Sequence, residues 1–380
     1  MTASSDRAGH SPLPTIATVL CAVYAGGVLG FFVLRTCPLP APPTLSALNY
    51  AAPFLFGPLV LILPLAFVSG TRPAIALALA VLALFLVLYG PFFLPRSEAV
   101  PPLEGGPLSA MSFNLGFKEL QPQQNLIAIA GEAADIVAVE ELTPLAAQAF
   151  HKGLAELYPY TVLTDMDTGL LSRYPIRRSE FFQPAGTVRP ALHAVLDVNG
   201  TSLEVIVVHP QPPSAVYWPG THVPIGIDDQ GLNRQIVAIA GRAAALPGPV
   251  LVMGDFNMST DSPAYNAMAA VLRDSFREAG WGLGFTFPRN LSIDNLTLVG
   301  PLIRIDYIFH SEALYTEESR VVCQGGSDHC YLTARFRFVA NTVRHASVRS
   351  SRLHTQPRTF DWTHRLLHSN RVHSWVPCCR

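Results

Sequence analysis

Carboxylate, amide and imidazole side chains recur in this sequence at the ends of short apolar runs, and such groups can move protons and hold cations. The first island is Ser112-Phe113-Asn114-Leu115, followed by Asp135-Ile136-Val137-Ala138-Val139-Glu140-Glu141-Leu142. The second is Val207-Val208-His209, and the third is Val252-Met253-Gly254-Asp255-Phe256-Asn257. The fourth pairs Arg304-Ile305-Asp306-Tyr307-Ile308 with Ser327-Asp328-His329. Alone, each island has an ordinary reading: a strand-end Asp or Asn caps a turn, and a histidine after an apolar strand is structural. Together they are expected to bring Asn114, Glu141, His209, Asp255, Asn257, Asp306, Asp328 and His329 to one cleft, because all stand where apolar strands end.

Those groups need strands to carry them. Short apolar runs predict strands at Ser109 to Leu115, Ile136 to Val139, Thr168 to Leu171, Ala191 to Val198, Leu203 to Val208 and Val250 to Met253. Further strands are predicted at Arg304 to Phe309 and Tyr331 to Phe338. Helical spacing of apolar residues marks Leu126 to Ala134, Pro144 to Leu157, Gly231 to Leu246 and Ser262 to Ala270. Mixed strands and helices over 108–338 imply one α/β domain of layered sheets with flanking helices. Residues 96–107, rich in Pro and Gly, read as a linker. Pro210 to Gln230, Pro-rich and carrying Tyr217 and Trp218, reads as a lid or a surface insertion.

The N-terminal part differs in kind. Between Gly9 and Pro95 the charged side chains are Arg35 and Arg72. After a short tail, 1–14, three apolar runs near Thr15–Leu34, Leu45–Val68 and Ala74–Leu94 each reach the ~20 residues that cross a bilayer core. The expectation is a membrane region over 15–95 with three transmembrane helices, giving a multi-pass membrane protein. Arg7 and Arg72 would share one side, and Arg35 and Arg96 the other, so the basic residues do not fix the orientation. Beyond the domain, 339–380 reads as a basic, disordered tail: residues 341–380 hold seven arginines and one acidic residue.

The islands resemble the motifs of the endonuclease/exonuclease/phosphatase (DNase-I-like) superfamily, in order and spacing, over about Leu108 to Phe338. The elements that carry the resemblance are the D-I-V-A-x-x-E run ending at Glu141, Leu171-Ser172-Arg173-Tyr174-Pro175, Gly254-Asp255-Phe256-Asn257, Arg304-Ile305-Asp306-Tyr307 and Ser327-Asp328-His329. The resemblance implies a four-layer α/β sandwich and a metal-dependent phosphoric ester hydrolase using Mg²⁺ or Mn²⁺. It implies that Glu141, Asn114 and Asp328 form the metal side, and that His209, Asp255, Asn257, Asp306 and His329 are catalytic. Asp255 would activate the attacking water with Asn257, and His329, held by Asp306, would donate to the phosphoryl oxygen. Gly116 departs from those nuclease members that carry an acidic residue two places after the Asn, so one possible metal ligand is missing. The chain also resembles membrane-anchored bacterial members with three N-terminal spans, which implies an extracytoplasmic catalytic domain acting on envelope phosphates.

Charge separates the substrate classes. Residues 100–340 hold 15 Lys or Arg against 24 Asp or Glu, a net of −9. Duplex DNA is held largely by cationic neutralisation of its phosphates, so the balance favours a lipid-linked or small phosphate ester over nucleic acid. The alternatives are a membrane-tethered nuclease, with Arg173, Arg177 and Arg178 as a basic patch, and a non-catalytic envelope binding protein. Cys323 and Cys330 flank Gly325-Gly326 and read either as buried thiols or as a bridge between neighbouring strands.

Overall fold

The computed structural model describes residues 13–36, 42–94, 99–116, 122–164, 166–186, 188–293 and 296–340. The tail beyond 340 lies outside the described residues.

Four helices come first: α1 (Leu13–Leu34), α2 (Pro43–Ala51), α3 (Leu59–Ser69) and α4 (Arg72–Leu88). The second apolar run does not form one helix. Pro53 and Pro58 lack amide donors, a 3-10 turn spans Ala52–Phe56, and the α2 and α3 sections meet at 51°. The third run gives a 17-residue helix, shorter than a straight span needs. Among the described residues, one helix is therefore long and apolar enough to cross a membrane, or two if the bent pair counts as a span, rather than the three expected. By length and composition α1 fits a membrane span and equally a signal sequence. Helices α1, α3 and α4 pack around Ala25, Val28, Leu59 and Val81, while Val19, Val23, Val60, Leu61 and Val87 point outward.

The rest of the chain runs β1 (Leu103–Asn114), α5 (Gln123–Glu132), β2 (Ile136–Leu142), α6 (Pro144–Gly153), β3 (Tyr160–Val162), β4 (Asp167–Ser172), β5 (Ile176–Phe182), β6 (Ala191–Val198) and β7 (Thr201–Val208). It continues through β8 (Ser214–Tyr217), β9 (Pro224–Asp228), α7 (Gln230–Ala245), β10 (Val250–Asp255), α8 (Pro263–Ala269), β11 (Arg273–Asp274) and α9 (Ser275–Ala279). Last come β12 (Leu291–Ile293), β13 (Leu296–Val299), β14 (Asp306–His310), β15 (Leu314–Val322) and β16 (Tyr331–Val339). Two six-stranded sheets result, ordered β15-β16-β1-β2-β4-β3 and β11-β14-β10-β7-β6-β5.

Side-chain alternation stacks these sheets. Along β1, Leu108 and Ala110 enter the core between the sheets, while Met111 and Phe113 enter the core under α5 and α6. On the second sheet, Val205 and Val207 of β7 face the first sheet, and Ile206 and Val208 meet α7 and α8. The layers are thus helix, sheet, sheet, helix, as the four-layer expectation has it. Among the described residues, β3, β5, β8, β9, β11, β12, β13 and β15 escape the apolar-run reading. β5 and β15 carry Arg177-Arg178-Ser179-Glu180 and Glu317-Glu318-Ser319-Arg320, because much of each faces solvent. Most of 210–230 is an ordered hairpin, β8–β9, and β9 lies against α2 with Gly226 on the Pro43 main chain.

The topology sends the islands to one end. β1 and β2 are parallel, as are β7 and β10, so Asn114, Glu140, Val208 and Asp255 all close their strands on the same side. β14 runs antiparallel to β10, which sets Asp306 opposite Asp255. A buried fork fixes the entry to β14. Arg304 Nη1 and Nη2 donate to Asp274 Oδ2 and Oδ1 at 2.8 and 2.6 Å, and the guanidinium lies over the Tyr307 ring. Burial alone would raise the Asp274 carboxyl, but Arg304 overrides it and the pKa lies below its usual 3.8. A depressed carboxyl pKa adds stability that is present above the unfolded value and is lost as pH falls through the folded one. Asp274→Ala should therefore destabilise the fold by ~3–5 kcal/mol, since it leaves a buried cation unpaired. Thermal unfolding of the full chain at neutral pH and below pH 4 checks this: the difference between variant and wild type should shrink in acid.

Candidate active site

Asp255 is the hub where the two sheets end together. It is 2% exposed. Its Oδ2 accepts from Asn114 Nδ2 at 3.0 Å and lies 3.7 Å from His209 Nε2 and 3.9 Å from His329 Nε2. Its Oδ1 accepts from the Asn257 amide at 2.8 Å. Burial and then the nearby Asp306 raise its pKa above the usual 3.8, although His329 and His209 pull the other way. Gly254 before it has no substitute: a Cβ there would stand 1.9 Å from the Val208 carbonyl oxygen of the neighbouring strand.

Two imidazole–carboxylate pairs flank this hub. His329 Nδ1 lies 3.0 and 3.2 Å from the Asp306 oxygens, and Phe287 covers its ring at 4.6 Å. Burial would lower the His329 pKa, but Asp306, Asp255 and Asp328 outweigh it and lift the pKa to about 9. At neutral pH the ring is therefore protonated and presents Nε2–H to the cleft. His209 mirrors it, with Nδ1 2.7 Å from Asp167 Oδ2. Its Nε2 lies 2.6 Å from Arg189 Nη1 and, since a guanidinium only donates, Nε2 accepts there.

Adjacent glutamates part company at a β-bulge. The β2–β4 register slips between Glu140 and Leu142, and Glu141, with φ 55°, is the extra residue. Its carboxylate stands 19% exposed and 3.9 Å from His209 Nε2, with no hydrogen bond from any described residue. Glu140 instead is fully buried, between Asn114 and Thr168 on the neighbouring strands. Neither of its oxygens has a partner among the described residues, nor do the Ser112 and Thr168 hydroxyls. Burial, and then Asp306, Asp255, Asp167 and Glu141, push its pKa well above 4.5, which favours the neutral acid.

Of the residues expected in one cleft, Asn114, Glu141, His209, Asp255, Asn257, Asp306 and His329 form a connected set. Asn257 adds its Nδ2, which donates to the Pro210 carbonyl at 3.1 Å. Asp328 is exposed at the rim beside Gly116. A Cβ at 116 would stand 3.0 Å from Asp328 Oδ1, which accounts for glycine at that departure from the family pattern. Asn114 already uses its Oδ1 to accept from the Gly116 amide at 3.0 Å. Among the described residues, the His, Cys, Asp and Glu ligand atoms close enough to share an ion are those of Asp255, Asp306 and His329, within 4.8 Å of one another, and the expected metal residues Glu141 and Asp328 are not in that group. A protonated imidazole has no free lone pair, so His329 suits proton donation better than metal binding. The open carboxylate of Glu141, with other oxygen donors nearby, fits a hard divalent cation.

Sequence reasoning missed Asp167, Arg189 and Glu140 as members of the site. Asp167 had a signal: it directly precedes the predicted strand at Thr168. Arg189 stands in a turn with no motif around it. The disulfide Cys323–Cys330 forms, closing the loop that carries Ser327, Asp328 and His329 and deciding between the two readings of those cysteines.

The bulge makes the two glutamates separable. Glu141→Gln should weaken Mg²⁺ or Mn²⁺ binding by about tenfold or more. Glu140→Gln, a near-isosteric neutral replacement, should leave cation affinity unchanged. Calorimetric titration of both full-length variants decides this, and the opposite ranking would reverse their roles.

The endonuclease/exonuclease/phosphatase family model matches residues 111–329, more than half of the chain. No curated protein matches it. Among solved structures, D. rerio TDP2 complexed with a single-strand DNA product is 18% identical, covering 61% of this chain and 99% of that one, with a TM-score of 0.49. The mannosyl-6-phosphatase Bt3783 of Bacteroides thetaiotaomicron is 17% identical over 61% and 100% of the two chains, with a TM-score of 0.46. Sphingomyelinase C from Streptomyces griseocarneus is 19% identical over 61% and 99%, with a TM-score of 0.44. On the extent of the family match and the motifs it spans, this chain belongs to the endonuclease/exonuclease/phosphatase family.

Proposed function

We propose that the chain is a membrane-anchored, divalent-metal-dependent phosphoesterase that hydrolyses a lipid-linked or small phosphate ester by in-line attack of water. The observation that carries this reading is the Asp255 hub between two imidazole–carboxylate pairs, with the free carboxylate of Glu141 beside it. Asp255, oriented by Asn114 and the Asn257 amide, accepts the proton of the attacking water, and its raised pKa suits a base. His329, kept protonated by Asp306, donates to the phosphoryl oxygen as charge builds there. His209, fixed by Asp167, keeps Arg189 at the cleft as a second donor to the phosphate. Mg²⁺ or Mn²⁺, held by the carboxylate of Glu141, would neutralise charge on the phosphoryl group.

Several features favour a substrate at a bilayer. The outward residues of the helical module are large and apolar, which suits lipid better than water. The β8–β9 hairpin, seated on α2, exposes Tyr217, Trp218 and Val223 near its turn, and such rings prefer the membrane interface. The disulfide favours an oxidising compartment for the catalytic domain, hence an extracytoplasmic placement. The basic patch considered for a nuclease loses force. Arg173 pairs with Asp135 at the far end of β2, and Arg177 pairs with Asp197.

The test compares kcat/KM of the full chain in detergent on a lipid pyrophosphate and on duplex DNA, with salt varied. Chelator should abolish hydrolysis and Mg²⁺ or Mn²⁺ should restore it, with the lipid substrate preferred. A large advantage for DNA that falls steeply with salt would put the nuclease reading first.

A further inference from the structure

The segment that follows the catalytic Asp255 is held from outside the catalytic domain. Tyr50 of α2 donates its hydroxyl to the Asn257 carbonyl at 2.7 Å. Ser259 donates to the Asn49 carbonyl at 3.0 Å. Arg35, just past α1, donates to Asp261 Oδ1 at 3.0 Å and to the Asp261 carbonyl at 2.7 Å. Tyr89, at the end of α4, donates to Asp261 Oδ2 at 3.0 Å. The ends of three apolar helices thus converge on residues 257–261.

The seam is wider than this loop, with Phe54 stacked on Phe285 and the Gly282 amide donating to the Phe92 carbonyl, and residues 257–261 are the part of it that adjoins Asp255. Asn257 sits in the left-handed region, φ 51°, where a non-glycine residue is held only if its surroundings hold it. Within the domain, its amide is fixed by Asp255 and its side chain by the Pro210 carbonyl. Its own carbonyl accepts from the Tyr50 hydroxyl. That bond restrains the plane of the peptide between Asn257 and Met258, and with it the backbone from which the Asn257 side chain projects.

We infer that the helical module is a working part of the active site, with Tyr50 as a positioning residue for Asn257. The roles of Asn257 and Asp255 rest on the proposed phosphoesterase reading; the mechanical coupling does not. Arg35 and Tyr89 tie the ends of α1 and α4 to Asp261 apart from Asn257, and the direct contact of the module with Asn257 is the Tyr50 hydroxyl.

The experiment uses the full chain in detergent micelles with Mg²⁺ and the chromogenic diester bis(p-nitrophenyl) phosphate. Tyr50→Phe should lower kcat by about 5- to 10-fold, the size of one neutral hydrogen bond, with KM changed less than about twofold. Tyr89→Phe, which removes a hydroxyl from the same seam without touching Asn257, should lower Tm and leave kcat near wild type. Amide hydrogen exchange followed by mass spectrometry supplies a readout free of activity. Protection across residues 256–261 should fall about tenfold in Tyr50→Phe and be unchanged elsewhere in the catalytic domain. Unchanged exchange in that segment overturns the inference, as does a kcat loss equal in both variants. A wild-type chain that cleaves no phosphate ester counts against the proposed function alone, and the exchange result still decides the coupling.

Discussion

Like charge crowded into a low-dielectric space is the constraint around which this molecule is arranged. Where the two sheets end, burial together with Asp306, Asp255, Asp167 and Glu141 raises the proton affinity of Glu140, and burial together with Asp306 raises that of Asp255. Carboxylates in that density repel, and burial multiplies the cost. The structure relieves it in three chemically different ways. His329 takes a proton and stands between Asp306 and Asp255. Glu140 is driven toward its neutral form. Glu141 is turned outward by a bulge, which leaves its charge facing a cleft that a divalent cation can enter.

The same constraint dictates the sheet geometry. Parallel pairing of β1 with β2 and of β7 with β10 is needed to end all four strands on one side. Antiparallel β14 then begins where β10 ends, so Asp306 faces Asp255. The Arg304–Asp274 fork locks that entry from behind, well away from the cleft, and lets a fully buried ion pair serve the register of a catalytic strand.

On the other side, the loop after Asp255 is not a free edge. It leans on the helical module through hydroxyl, guanidinium and main-chain bonds, so catalytic and apolar regions form one mechanical unit there. The hairpin packed on α2 extends this contact toward the tip that bears Trp218.

The sequence by itself picked out the polar residues that close apolar strands and roughly where half of the strands lie. A buried strand must be apolar, so Asn114, Glu141, His209, Asp255, Asp306 and His329 stand out at the ends of such runs. The mixed order of strands and helices also foretold layered sheets with flanking helices. Solvent-facing strands such as β5 and β15 were not legible, because a half-exposed strand tolerates charge at successive positions. The broken second apolar run was misread for a related reason: hydropathy averages over Pro53 and Pro58, whereas the helix feels each missing donor. Only the tertiary structure decided the partners: Asp167 for His209, Arg189 beside it, Tyr50 for Asn257, and which of two adjacent glutamates faces the cleft. Each is a contact between residues distant in sequence, or the consequence of a bulge that depends on the neighbouring strand, and no local pattern encodes it.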